Sequence, residues 1–248
     1  MIQLSHIAKT FNKGSVNEVH ALNDVSLHIP RGEFAVVIGT NGSGKSTLFN
    51  ILAGAERADS GSIHISGIDA GRIPEHKRAQ WVARVFQNPL SGTAPDLSIL
   101  DNFRLAALRT KKKGFTIGTN SAFRKLVQDR IATLGMGLES KVDQPMGTLS
   151  GGQRQALTLL MSVMDHTSLL LLDEPTAALD PRSAHTVMET AGKLITEYQL
   201  TALLITHDLK QAWQYGNRLV QMREGTIVRD LTATAKAALQ PQEMYEWF

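Results

Sequence analysis

The sequence predicts an α/β fold: a mostly parallel sheet covered by helices, an antiparallel β subdomain at its N-terminal side, and a helical insert. Three observations predict it. Short apolar runs such as "EFAVVIG", "LLLLD" and "TALLIT" alternate with stretches of helical spacing, the pattern of strands buried on both faces. The first thirty residues instead alternate apolar and polar positions, as in "IQLSHIAKTF" and "VSLHI", which suits half-buried antiparallel strands. From about Ser98 to Gly147 the strands give way to helical patterns.

Taken in order, "EFAVVIG" is a short buried strand and "KSTLFNILAG" the helix after it. Leu48, Ile51 and Leu52 supply that helix's buried face, and Gly54 stands where a helix ends. "GSIHISG" is a further strand between two glycines. "SILDNFRLAALRT" and "SAFRKLVQDRIATLG" are helices of an insert placed at about 92–150, joined by a loop rich in lysine and glycine. "QRQALTLLMSVM", "LLLLD", "PRSAHTVMETAGKLITEY" and "TALLIT" then resume the helix and strand alternation. The main domain is expected over 1–231. The tail, 232–248, is expected to end in a short helix that packs Met244, Trp247 and Phe248 on its own domain; docking of a partner is the alternative.

The composition excludes several classes. A hydrophobic share of 42% and a charged share of 20% are globular values. There is no cysteine, so no disulfide framework or thiolate metal site can form. The net charge of +3, from 26 basic and 23 acidic residues, is too small for a nucleic-acid partner. The start, "MIQLSHIAKTF", lacks a signal-peptide pattern, and no window reaches the apolar length of a membrane span; a soluble chain is expected, any membrane role coming through a partner. The run Lys111 to Lys113 is expected to be a solvated loop, with anionic head groups as the alternative contact.

Gly39, Gly44, Lys45 and Ser46 satisfy G-x-x-x-x-G-K-[ST] between a predicted strand and a predicted helix. Across Gly39, Thr40, Asn41, Gly42, Ser43, Gly44, Lys45, Ser46 and Thr47, glycines let backbone N–H groups wrap a phosphate, and the helix start adds its positive dipole end. Lys45 is expected at the β- and γ-phosphate oxygens, and the Ser46 hydroxyl on Mg²⁺. "LLLLDEP" places Asp173 and Glu174 at a strand's carboxyl end, where α/β sheets bind ligands. Successive strand residues face opposite ways, so the two acids are given different tasks. Asp173 is expected to hold Mg²⁺, directly or through water, and Glu174 to polarise the water that attacks the γ-phosphorus. The plainer alternative is a helix start capped by acids ahead of Pro175.

A second glycine-rich helix start occurs at "LSGGQ". Ser150 and Gln153 form an S-x-x-Q capping box that would start any helix, while Gly151 and Gly152 have no such explanation. With this pentapeptide the chain resembles the ATP-binding cassette ATPases, whose signature it is; the resemblance runs from about residue 1 to 231. It implies a P-loop NTPase with a RecA-like core, and ATP and Mg²⁺ as cofactors. It implies that Phe11 stacks on adenine, a core strand residue being the alternative. Gln87, in "VFQNP", matches a glutamine that reaches Mg²⁺, the attacking water and the membrane partner; Asp180, in "ALD", matches a loop crossing the dimer interface; and His207 matches a histidine that contacts the γ-phosphate. Two cassettes pair head to tail, the Ser150–Gln153 helix start of one covering the phosphate held by the other.

The departures from the commonest pattern lie in "RQALTLLMSVM", in "NPLSGTAPDLSILDN" and in the long loop "RTKKKGFTIGTN". They are similar to importer ATPases that work with amino-acid-type binding proteins. The resemblance thus implies the ATP-hydrolysing motor of a membrane importer, a homodimer of cassettes held at the inner face of the cell membrane by permease subunits and served by a solute-binding protein. The alternative is a soluble ATPase of the same family in DNA repair, translation or iron–sulfur assembly. No repair-type coiled coil or second cassette is present in this sequence.

Overall fold

A computed structural model of the chain describes residues 1–110 and 118–247. The lysine run at 111–113 and Phe248 lie outside the described residues. The chain divides into two compact units: Met1–Val82, Ser168–Glu174 and Gln199–Phe248 form the first, Ala83–Thr167 and Pro175–Tyr198 the second.

The first unit opens with β1 (Ile2–Phe11) and β2 (Val19–Ile29), followed by β3 (Phe34–Ile38), α1 (Lys45–Ala53), β4 (Ser60–Ile65), β5 (Ile68–Asp69) and α2 (Glu75–Arg78). The chain leaves this unit through β6 (Val82–Val85). The second unit carries α3 (Ile99–Ala106), α4 (Ser121–Ala132) and α5 (Gly151–Ser162); after β7 (Leu169–Asp173), which belongs to the first unit, it is completed by α6 (Pro181–Glu197). The first unit then closes with β8 (Thr201–Ile205), α7 (Leu209–Gln214), β9 (Arg218–Arg223), β10 (Thr226–Leu231), α8 (Ala233–Ala238) and α9 (Pro241–Tyr245).

Two sheets organise the first unit. One is antiparallel, in the order β2-β1-β4-β5; the other runs β10-β9-β3-β8-β7, then β6. The pairs β3–β8, β3–β9 and β7–β8 are parallel, and only β9–β10 is antiparallel among these. This is the predicted class: an antiparallel β subdomain beside a mostly parallel sheet with helices. β2 begins at Val19, earlier than "VSLHI", because its polar outer half pairs with β1 out to Phe11.

The core explains both sheets. Leu48, Phe49, Ile51 and Leu52 of α1 are fully buried among Ala35 and Val37 of β3, Leu169 and Leu171 of β7, and Ile2 and Ile7 of β1. Each such side chain contributes about 1.5–3 kcal/mol by leaving water. Val36 and Ile38 alternate to the other face of β3 and are equally buried, which is why the strand reads as one apolar run. Gly54 ends α1 in the left-handed region, its N–H bonded to the Asn50 and Ile51 carbonyls. The Arg78 guanidinium, 1% exposed, donates to the Ile51 and Leu52 carbonyls and sets a positive charge at the negative end of α1.

In the second unit, α3 starts at Ser98 and α4 at Asn120, each a side-chain N-cap. α5 packs on α6. Both helices belong to this unit, together with α3 and α4. The tail has two short helices, α8 and α9, where one was expected.

Candidate functional site

Three strand ends of the parallel sheet converge on one site in the first unit. β3 runs into the phosphate loop, β7 ends at Asp173 and Glu174, and β8 runs through Thr206 to His207. With β8 between β3 and β7, their carboxyl ends are neighbours.

The loop is shaped by backbone it cannot escape. Gly44 takes φ +98°, and a Cβ there would stand 2.5 Å from the Ala21 carbonyl oxygen; at Gly39 a Cβ would meet the Met222 carbonyl at 2.2 Å. No side chain caps the start of α1, so its first amides are free of side-chain acceptors. The Lys45 ammonium is folded inside the loop and donates to the Gly39 and Thr40 carbonyls, both at 2.8 Å. Burial holds it below the ordinary lysine value, against the opposite pull of Glu174 and Asp173. Ser43 is buried, whereas Thr40, Asn41, Gly42 and Ser46 are exposed and Thr47 half-buried. Loop amides, an inward cation and an exposed hydroxyl together form a polyphosphate cradle.

Opposite stand the acids. Glu174 follows β7 with φ +46°, a left-handed conformation that a glutamate adopts at a cost of about 1–2 kcal/mol. Its N–H donates to the Ile205 carbonyl at 3.0 Å, which pins the strand ends together. Its carboxylate lies 3.3 Å from Nδ1 of His207, whose side chain is 63% exposed against 20% for the glutamate. A strained acid, shielded on one side and facing an exposed imidazole, is placed to hold and polarise a water.

A divalent cation fits these residues. Among the described residues no cluster of three or more acids or histidines exists that would hold a metal by itself. Mg²⁺ is commonly held by one carboxylate, a hydroxyl and the phosphates themselves, and Asp173 and Ser46 offer that set. Phe11, at the end of β1, is half-buried and outside the buried core, with the Lys9 ammonium 5.0 Å from its ring centroid.

Gln87, Ser150–Gln153 and Asp180 belong to the second unit. Gln87 is exposed. The capping box at α5 is made as the sequence predicts: the Gln153 N–H donates to Ser150 Oγ (3.3 Å) and the Ser150 N–H to Gln153 Oε1 (3.1 Å). The glycines have a reason the sequence did not disclose. A Cβ on Gly152 would lie 2.6 Å from the Ser183 side chain, and one on Gly151 3.1 Å from Leu179 Cδ2. They make room for the segment that enters α6. Asp180 caps that helix, accepting from the Arg182 and Ser183 amides, and hydrogen bonds from the Ser183 hydroxyl and these amides hold its carboxyl below the ordinary range.

Gln155 is a further residue of the second unit that supports the site. It is 1% exposed, and its one amide nitrogen donates to the Phe86 carbonyl (2.8 Å) and the Pro175 carbonyl (3.0 Å). It thereby ties α5 to the residues next to Gln87 and Glu174 in sequence. No local pattern marks it, because Gly151, Gly152, Thr158 and Ser162 on the same helix face are themselves small or polar.

The fold and this cradle define a P-loop nucleoside triphosphatase. Comparison with known proteins sharpens the class. Residues 22–177 match the family model described as ABC transporter. The chain is 37% identical over 254 residues to a tyrosine transport ATP-binding protein of Clostridioides difficile, covering 100% of this chain and 98% of that one. It is 36% identical to a macrolide export ATP-binding/permease protein of Neisseria gonorrhoeae, over 93% of this chain and 34% of that longer one. Among solved structures, the dimeric ATP-binding cassette MJ0796 bound to ADP and Pi superposes with a TM-score of 0.80 at 26% identity, over 94% of this chain and 99% of that one. The chain belongs to the ABC transporter ATP-binding family. It is an ATPase cassette whose hydrolysis of ATP is coupled to transport. Among the described residues no helix is long and apolar enough to cross a membrane.

Proposed function

We propose that this chain is the motor subunit of an ABC importer for a small solute of the amino-acid class. It works as a head-to-tail homodimer, held by permease subunits at the inner face of the cell membrane and served by a solute-binding protein. The observation that carries the hydrolytic reading is the Glu174 carboxylate 3.3 Å from His207, beside the strand end that leads into the phosphate loop. The full-length likeness to a tyrosine transport ATP-binding protein supports the transport reading and the solute class. Uptake assays in proteoliposomes carrying the permease test the direction, import being expected.

In this reading Phe11 stacks on adenine. The amides of Gly39–Thr47 and the Lys45 ammonium hold the β- and γ-phosphates. Ser46, Asp173 and Gln87 would hold Mg²⁺, which would supply charge neutralisation to the phosphates. Glu174 orients the attacking water and accepts its proton, while His207 faces the γ-phosphate. Ser150, Gly151, Gly152 and Gln153 of a second copy close over that phosphate, and Asp180 lies at the interface between copies.

Glu174→Gln tests the chemistry. Turnover should fall more than about 100-fold with ATP affinity within about threefold of wild type, since only the proton acceptor is lost. Steady-state hydrolysis at the wild-type rate would remove Glu174 from its role. A tagged pull-down from detergent-solubilised native membranes tests the partners: a polytopic permease should co-purify. Recovery of soluble partners alone would overturn the proposed permease-bound assembly.

A further inference from the structure

The tail is more than a closing segment. Its anchors are buried: Met244 is fully enclosed, and the Lys236 ammonium donates to the Tyr215 and Gly216 carbonyls just beyond α7. The Trp247 carbonyl accepts from Gln221 Nε2 at 3.1 Å, and the Arg229 guanidinium lies 4.8 Å from the Trp247 ring centroid. α9 packs on α7, the helix that follows His207. Between these anchors one aromatic residue is left out of the core. Tyr245 is 66% exposed and lines a cavity of about 320 Å³ together with Gly39, Thr40, Asn41, Thr206 and His207.

The structure assigns Tyr245 to the nucleotide site as a positioning residue: its ring walls the cavity between the first turn of the phosphate loop and His207. This rests on the reading of that cavity as the place of the terminal phosphate and its attacking water. A fixed aromatic wall there displaces mobile water and limits where the attacking water and the imidazole can stand. The anchors matter because an exposed ring performs this task only if its backbone is held. A wall at this place distinguishes ATP from ADP. The loop residues that share the cavity with Tyr245 are Gly39, Thr40 and Asn41, on the side of His207, so its ring stands beside the place of the terminal phosphate and its water rather than that of the diphosphate.

The test uses the full chain with Tyr245→Ala, Tyr245→Phe and, as a control, Lys45→Ala. For Tyr245→Ala, kcat should fall about tenfold. In a Glu174→Gln background its ATP affinity should fall about fivefold or more while ADP affinity stays within about twofold. The midpoint of thermal unfolding should not move, because the side chain is mostly exposed. Tyr245→Phe should recover most of the loss, since the ring is the wall. Wild-type turnover in Tyr245→Ala, an equal loss of ATP and ADP affinity, or a Phe variant as impaired as the Ala variant would each overturn the assignment. Lys45→Ala should lose both nucleotides; if it binds both normally, the phosphate-site reading itself fails, whatever Tyr245 does.

Discussion

The starts of α1 and α5 look alike in sequence, each a helix entered through glycines after a small polar residue, yet they are built on different physics. At α1 the N-cap is Gly44 itself, in the left-handed region at φ +98°, with no side chain on its amides. At α5 the N-cap is Ser150 in extended backbone at φ −62°, and a complete capping box occupies the first turn. Gly44 serves conformation and close backbone approach, whereas Gly151 and Gly152 serve space for neighbouring side chains. A loop that must present bare N–H groups cannot also cap itself. The first start is therefore a finished anion cradle, while the second keeps only the amides its cap leaves unused.

The sharpest way to break this comparison is to add one methyl group at each start. Gly44→Ala sets a Cβ against a backbone carbonyl at an unfavourable φ, so it should cost about 3 kcal/mol or more and abolish nucleotide binding. No trimming of a neighbouring side chain relieves it, and denaturant unfolding with nucleotide titration measures both effects. Gly152→Ala meets only the Ser183 side chain, so it should cost about 1–3 kcal/mol, and Ser183→Gly in the same chain should restore most of that stability. A double variant no more stable than Gly152→Ala would show that this glycine is needed for its backbone after all.

Smaller effects follow from the caps and the buried lysines. Ser150→Ala removes one half of the capping box and should lower unfolding stability by about 1 kcal/mol, without a counterpart at α1, where no cap exists to remove. Lys45 and Lys236 both donate to backbone carbonyls from buried positions, but Asp173 and Glu174 oppose the desolvation of Lys45 only. Burial pushes Lys236 from 10.5 down to about 8. Between those values the unfolded chain holds a proton that the folded chain has released, so stability rises with pH across that window. The rise is at most about 1.4 kcal/mol per pH unit. Thermal unfolding of wild type against Lys236→Met from pH 7 to 10 should show the wild type gaining on the variant.

Much of the site was legible because its determinants are local. The order strand, glycine loop, lysine, helix is written in one continuous stretch, from Phe34 to Ala53. "LLLLDE" announces a buried strand that ends in acids, and "SGGQ" carries its own capping box. Gln155 was not legible: its two acceptors, Phe86 and Pro175, lie on other segments, and a buried glutamine between distant carbonyls leaves no local pattern. The role of Gly152 escaped for the same reason, since Ser183 is contributed by another helix.

By itself, then, the sequence determined the class of fold, the phosphate loop and the acids at the strand end, because hydrophobic period, turn chemistry and capping act between residues close along the chain. The tertiary structure alone decided which glycines are spared a Cβ by backbone and which by a neighbour, where Gln155 donates, and that Tyr245 of the tail faces His207 across one cavity. Those outcomes depend on long-range packing, in which strands and helices far apart in sequence bring their surfaces within a few ångströms.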